Sequence, residues 1–554
     1  MPAAYPAGPL SRSQRIALGC VVGAAAGVRL ARAYLSDGIF NDGPVFLGLA
    51  QRIAASDWSA ALDHPYHPLY PLAIVLAHGS IGEWEPAAIA VSVVSGAAAT
   101  WLLFLFLRSS LGTTSAWLGS TLLAVHPRLV DWSSNVQSDG LYLALFLASV
   151  WLAWEAFQSR RPALAAGAGA ASGLAYLVRP EGIGIVLVAL LWVGLASLRR
   201  AWRAREGLAW GAALLAAAFL VALPYLLALR IDQGTWTLTH KKSVAKMLET
   251  LAPASGYVLD EGGREASTSE GSHAAQARSR GATEFASSRR LQGRKHTIRG
   301  RPIAALAELL DTLQSAVRPW FLVLLPLGIA ARFGPPGPSG AFVLLVFAVY
   351  GLALYAQTLN SGYVSTRHVL PPFVVAFGYL AAGVEMLGSA LARGIGFIRG
   401  AASPRRLGVG IATGVMLVAA LAQALHTHDG ALERSAAEWL RDPGREPGAV
   451  AATKERVGYY ADRPFVCLRS APREDLLPYL QERGVRYLVV DDEEVAWLEA
   501  LGIAERLQVR HSVQSSDGRW SVLELPGPIA ARGSRAPIFL SQEGAVAHPD
   551  RSPR

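Results

Sequence analysis

Long apolar runs separated by short polar islands make up most of the chain. A helix that crosses the hydrocarbon core needs about twenty apolar residues. Runs near that length recur at Ile16 to Ala33, Ala87 to Leu107, Ser115 to Val130, Gly140 to Phe157, Pro162 to Val178, Gly182 to Leu198, Leu208 to Leu229, Pro319 to Ala331, Gly340 to Thr358, Val369 to Leu391 and Leu407 to Leu425. The pattern predicts about eleven membrane spans. Leu69 to Ile81 is also apolar, but His78 interrupts it and it is short, which predicts a helix lying along the interface or re-entering it. Arg12 and Arg15 precede the first run, which fits either a cleaved signal or a retained first helix; the many spans that follow favour retention.

Beyond Leu425 the pattern changes to that of a small α/β unit. Ala449 to Ala452 and Phe465 to Leu468 read as strands, Asp475 to Arg483 as a helix, and Arg486 to Val490 as a buried strand ending at Asp491-Asp492. The loop Ile231 to Arg318 has a Ser-, Gly-, Glu- and Arg-rich middle that predicts little order. Its first part, Thr235 to Leu251, predicts a segment hugging the membrane surface. The expected organisation is a membrane domain over residues 1–425 with a disordered insert at 260–301, an α/β domain over 426–531, and a disordered tail at 532–554.

Composition agrees with a membrane class: only 17% of residues are charged and the mean hydropathy is +0.31, too apolar for an ordinary soluble protein. The net charge of +10 changes the picture little, because its arginines cluster in short connections between apolar runs, and no nucleic-acid-binding pattern accompanies them. With the amino terminus inside, Arg108, Arg160, Arg161, Arg199, Arg200, Arg203, Arg205, Arg332, Arg393, Arg399, Arg405 and Arg406 all fall on the cytoplasmic side. The acids and histidines of the other connections, and the α/β unit, then lie outside, periplasmic in an inner membrane. Cys20 and Cys467 are far apart in sequence and in different settings, so neither a disulfide nor a zinc or redox spacing is expected.

Ionisable groups at one mouth of a membrane protein are costly and mark chemistry. Asp42, before a helical pattern started by Gly43-Pro44, fits a general base that takes a proton from an attacking hydroxyl, or a plain helix cap. Asp139 opens a span on the same face under the same two readings. His64 and His67, in Asp63-His64-Pro65-Tyr66-His67-Pro68, leave open a divalent metal or structural histidines. Arg179-Pro180-Glu181-Gly182 fits a tight hairpin with an internal ion pair or a substrate contact. Arg367, at the mouth of a late span, suits bidentate phosphate binding or interfacial snorkelling, and Lys241 is a second cation of that kind.

These elements together resemble the GT-C glycosyltransferases, in the group containing protein O-mannosyltransferases, the aminoarabinose transferase acting on lipid A, and related bacterial cell-envelope sugar transferases. The resemblance rests on an Asp in the first outer loop, a His-Pro-x-x-Pro-like element near Pro68 to Pro71, the acidic turn at Asp139, Leu-Val-Arg-Pro-Glu-Gly at Leu177 to Gly182, and Arg-His-Val-Leu-Pro at Arg367 to Pro371. It implies an all-α polytopic membrane fold with interfacial helices in the first outer loop, a polyprenyl-phosphate sugar donor, and a lipid, glycan or protein hydroxyl acceptor outside the cytoplasm. Transfer would proceed with inversion. Asp42 would be the base, Asp139 an acid that orients substrate, and Arg367 a phosphate partner, with Arg179 and Lys241 as looser assignments. The family usually pairs two adjacent acids in the first loop; here Gly43 follows Asp42, and the choice between Asp37 and Asp42 stays open. No nucleotide is called for, since no Gly-rich phosphate loop is present. The competing readings are a transporter or flippase of lipid-linked sugars, an enzyme of the same fold with a different reaction, such as a polysaccharide polymerase or ligase, and a non-catalytic envelope assembly factor.

Overall fold

The computed structural model describes residues 8–239, 242–243, 298–331, 337–394, 403–426, 430–468, 471, 476–515 and 518–525. The chain divides into two compact units: one of Met1–Ser36, Leu49–Leu259 and Gly293–Thr427, the other containing Asp37–Gly48 and the residues from His428 onward.

The first unit is helical throughout its long elements. In chain order these are α1 (Arg12–Leu35), α2 (Gly43–Ala54, which begins in the second unit), α3 (Trp58–Leu62), α4 (Leu69–Ile81), α5 (Trp84–Leu111), α6 (Thr113–Val125), α7 (Pro127–Trp132), α8 (Asp139–Ser159), α9 (Pro162–Val178), α10 (Gly184–Leu198) and α11 (Ala204–Gln233). They continue as α12 (Pro302–Val317), α13 (Pro319–Ala331), α14 (Pro338–Ser361), α15 (Thr366–Val374), α16 (Phe377–Gly394) and α17 (Pro404–Leu425). Each of the expected spans is therefore helical. By length and composition seven helices among the described residues can cross a membrane, or nine if two bent pairs, α12 with α13 and α15 with α16, each count as one span. The expected spans at α6 and α9 fall short of that length, α6 because His126 and Pro127 end it.

Burial separates the helices by position. The most apolar windows of α5 and α8 are 61% and 67% buried, whereas that of α1 is 22% buried and leaves Ile16, Leu30 and Leu35 exposed, as a lipid-facing helix must. Helix α9 lies close against α11 because Gly169 and Gly173 carry no side chain: a Cβ at Gly169 would stand 2.1 Å from the Leu214 carbonyl oxygen. Small residues four apart let two helix backbones approach where no hydrophobic effect drives them together. After α11, Thr237–Thr239 pairs antiparallel with Lys242–Ser243 as strands β1 and β2, where a surface-hugging amphipathic segment was expected. β-Branched threonines suit a strand. Residues 244–251 of that segment, the insert expected at 260–301 up to residue 297, and the tail expected at 532–554 lie outside the described residues.

The second unit follows with α18 (Ala431–Glu438), β3 (Ala449–Ala452), α19 (Arg456–Ala461), β4 (Phe465–Cys467), α20 (Leu476–Glu482), β5 (Val485–Asp491), α21 (Asp492–Ala500), β6 (Gln508–Ser515) and β7 (Gly518–Glu524). Its sheet has the order β4-β3-β5-β7-β6, with β3 parallel to both β4 and β5, and β7 antiparallel between β5 and β6. The parallel strands are short apolar runs because helices cover them: Leu480, Leu488, Val490, Trp497 and Leu498 share one core. Strands β3, β4 and β5 and helix α20 match the sequence expectation within one or two residues.

Candidate active site

Within the first unit, polar side chains from three remote segments meet. Asp139 stands in the first turn of α8, where the partial positive charge of the helix start favours a carboxylate. Pro180 forbids α9 to continue, so Arg179 turns to an extended conformation (φ −152°, ψ 139°) and reaches Asp139: its Nη2 lies 3.1 Å from Oδ1 and donates to Oδ2 at 3.2 Å. Arg179 Nε also donates to Ser138 Oγ at 3.4 Å. The turn is held tight because Gly182 packs on the end of α9, where a Cβ would fall 2.3 Å from the Tyr176 nitrogen, and its carbonyl accepts from Ser172 Oγ at 2.7 Å.

The third segment is the start of α15. Ser365 and His368 form a capping box: Arg367 N–H donates to Ser365 Oγ, and Ser365 N–H donates to His368 Nδ1, both at 3.4 Å. With Nδ1 used as acceptor, the ring proton belongs on Nε2, which points at Glu181 Oε1 3.3 Å away. The cap also sets the direction of Arg367, whose Nε lies 4.0 Å from Asp139 Oδ2. Tyr350, from the middle of α14, donates its hydroxyl proton to the Glu181 carbonyl at 3.1 Å. Glu181 Oε2 is buried and has no hydrogen-bond partner among the described residues. The result is two carboxylates, two guanidiniums and one imidazole in a shared network, with one carboxylate oxygen ready to accept a further donor.

Of the residues singled out from sequence, Asp139, Arg179, Glu181 and Arg367 are thus brought together. His67 is buried beside the same turn: its Nδ1 is 2.6 Å from the Tyr176 carbonyl oxygen, and its ring packs against Tyr176 and Tyr225. Tyr176 in turn donates to the Leu238 carbonyl of β1 at 2.9 Å, which pins the start of the loop after α11. His64 accepts the Tyr66 N–H at 3.1 Å, a local turn contact. Among the described residues no three His, Cys, Asp or Glu side chains gather to hold a metal ion. Lys241 lies outside the described residues.

Asp37 and Asp42 belong to the second unit. The Asp37 side chain is exposed and its carbonyl accepts from Arg434 Nη1 at 3.1 Å. Asp42 is half-buried, and its carbonyl takes the Phe46 N–H at 3.2 Å as α2 begins. The sequence reading missed Tyr350 and the pairing of His368 with Glu181. The signal for Tyr350 is a hydroxyl inside an otherwise apolar span, which needs a partner there.

A family model described as dolichyl-phosphate-mannose-protein mannosyltransferase matches residues 63–227, less than half of the chain. Comparison with curated proteins by sequence gives no match. Among solved structures, ArnT from Cupriavidus metallidurans bound to undecaprenyl phosphate is similar at 13% identity with a TM-score of 0.56, over 94% of this chain and 100% of that one. The same protein in its apo state matches at 13% identity and a TM-score of 0.53, over 93% and 100% of the two chains.

Proposed function

We propose that this chain, which has the fold of the GT-C glycosyltransferases, is a membrane enzyme that moves a hexose or pentose from a polyprenyl-phosphate donor to a hydroxyl acceptor. The acceptor is a lipid, glycan or protein outside the cytoplasm, and transfer inverts the anomeric carbon. The observation that carries the reading is the convergence of Asp139, Arg179, Glu181, Arg367 and His368 from the starts of α8 and α15 and the turn after α9. Support comes also from ArnT, a similar fold that binds undecaprenyl phosphate. The lysine and arginine bias of the connections supports a periplasmic location, in an inner membrane, for the cluster and for the C-terminal unit.

Cleavage of the sugar–phosphate C–O bond leaves positive charge on the anomeric carbon and sends the electron pair to the departing polyprenyl phosphate. Fixed cations are most useful where that negative charge develops, the role assigned to Arg367 with Arg179 and Lys241. Asp139 orients the two guanidiniums, and the unmatched Oε2 of Glu181 accepts a hydrogen bond from a sugar hydroxyl. His64 and His67 shape the neighbouring turn. The attacking hydroxyl forms the new C–O bond and gives its proton to a first-loop carboxylate, Asp42 in preference to the exposed Asp37. A transporter would be expected to place its charges near mid-span; here they gather at helix starts.

The test uses the full chain in lipid vesicles with undecaprenyl-phosphate-linked sugars as donors and an envelope lipid and glycan extract as acceptor. Acceptor-dependent release of undecaprenyl phosphate is expected. Asp42→Asn should abolish it while insertion is unchanged, and Arg367→Ala should raise the donor KM about tenfold or more. Directly measured donor binding that ignores Arg367→Ala would remove the phosphate role.

A further inference from the structure

The second unit encloses a segment of chain that is remote from it in sequence. In open α/β sheets a ligand sits outside the carboxyl ends of the strands, where the strand order reverses. Here that place is the end of β3, since β4 lies on one side of it and β5 on the other. The residues that follow β3 bind the chain's own first loop. Glu455 N–H donates to Asn41 Oδ1 at 2.9 Å, and Arg456 Nη1 donates to the Ile39 carbonyl at 3.3 Å. The Ile39 N–H donates to Tyr460 Oη at 2.6 Å. Both backbone groups of Ile39 are thus satisfied from more than four hundred positions away, and its side chain is 2% exposed. A Cβ at Gly38 would press on the same phenol oxygen at 3.3 Å, so a larger residue there would lift the loop off it.

The clamp is itself braced. Arg456 is buried and its Nε meets Glu433 Oε2 at 2.5 Å, so the guanidinium that holds Ile39 is fixed by α18. Arg434 donates to the Asp37 carbonyl and stacks over the Tyr460 ring at 4.9 Å. The residue after Asn41 is Asp42, which is caught between this clamp and the first turn of α2. The carboxylate therefore has little freedom in its backbone.

We propose that the C-terminal unit is a positioning element for Asp42: the turn after β3, through Glu455, Arg456 and Tyr460, holds Gly38–Asn41 so that the carboxylate is presented for proton acceptance. This rests on Asp42 being the base in the glycosyl transfer proposed above. Positioning is what the unit supplies to the reaction, and a misplacement of about 1 Å can cost on the order of a hundredfold in rate.

Three variants of the full chain test it in the vesicle assay: Tyr460→Phe and Asn41→Leu, which each lose an acceptor, and Asn41→Asp, which keeps the acceptor for Glu455 N–H. Hydrogen exchange of the Ile39 and Glu455 amides is read alongside, with the β5 amides as the control for folding. The expected result is faster exchange at Ile39 or Glu455, a kcat lowered about tenfold or more with donor KM unchanged, and recovery of kcat in Asn41→Asp. Faster exchange with kcat unchanged, while Asp42→Asn is dead, overturns the positioning role and leaves the base assignment standing. Full turnover in Asp42→Asn overturns both. A fall in donor affinity without a fall in kcat also overturns it, since a base does not hold the donor.

Discussion

Glu433 and Asp139 each face two cations, and they close to different degrees. Glu433, in the second unit, is matched on both oxygens, by Arg456 Nε at 2.5 Å and by Lys454 Nζ. Asp139, in the first unit, holds Arg179 at 3.1 Å but Arg367 only at 4.0 Å. Both carboxylates are 5% exposed, so burial does not separate them. Their cations differ: Arg456 is spent on Glu433 and on the Ile39 carbonyl, whereas Arg367 stands at the outer edge of ion-pair distance from Asp139. A saturated buried pair fixes a shape; a slack one can rearrange when a charged group arrives.

The comparison breaks most sharply at Glu433. Glu433→Ala leaves the buried Arg456 without its counter-charge, a change that costs about 3–5 kcal/mol when one partner of a buried pair is removed. The second unit should unfold at lower temperature, seen as lost hydrogen-exchange protection in β3 and β5. Asp139→Ala should cost less stability, because Arg367 stands 4.0 Å from Asp139 and Arg179 keeps Ser138 Oγ as an acceptor. Its larger effect should fall on donor turnover. If the two substitutions destabilise equally, the distinction between saturated and slack pairs is wrong.

A third carboxylate, Glu494, sharpens the contrast because its close partners are a hydroxyl and a backbone N–H. Glu494 is buried at the start of α21, with Thr453 Oγ1 donating to Oε1 at 2.5 Å and Asp491 N–H donating to Oε2 at 3.1 Å. Burial, aided by the nearby Asp491 charge, pushes its carboxyl up to about 7 from the ordinary value of 4.5. The folded state thus binds the proton more tightly than the unfolded chain does. The stability it contributes is full below about pH 4.5 and is lost as pH rises through about 7, on the order of 3 kcal/mol in all. Glu494→Gln should flatten that slope, as checked by unfolding between pH 4.5 and 8. An unchanged slope would show that Glu494 is not the titrating group.

How much of this could be read from the chain depends on which interactions are local. Asp139, Arg179, Glu181 and Arg367 were legible because each lies at a helix boundary, and one sidedness argument put those boundaries on a common face. Strands β3 to β5 were legible as short apolar runs. Strand β6, with Arg510, His511 and Gln514 among its residues, has no such run and was missed. The bend of 69° between α15 and α16 was also missed, since a window of hydropathy does not register direction. Least legible was the capture of Ile39 and Asn41 by residues near 455–460, because contacts over that separation leave no periodic trace in sequence.

The smallest expected effect lies at Tyr350, where the slack cluster meets its frame. The Tyr350 hydroxyl donates to the Glu181 carbonyl at 3.1 Å, and its ring fits only because Gly184 lacks a Cβ, which would stand 2.7 Å from the phenol. Tyr350→Phe keeps the ring and removes the hydrogen bond to the Glu181 carbonyl, a neutral contact worth about 1 kcal/mol. The Glu181 side chain then loses the anchor of its own backbone while keeping His368 at 3.3 Å. Donor turnover should fall about fivefold, the equivalent of that energy, with folding temperature shifted only slightly. A loss as large as that of Asp139→Ala would mean that the phenol touches the substrate, and that the cluster is wider than the ion pairs alone define.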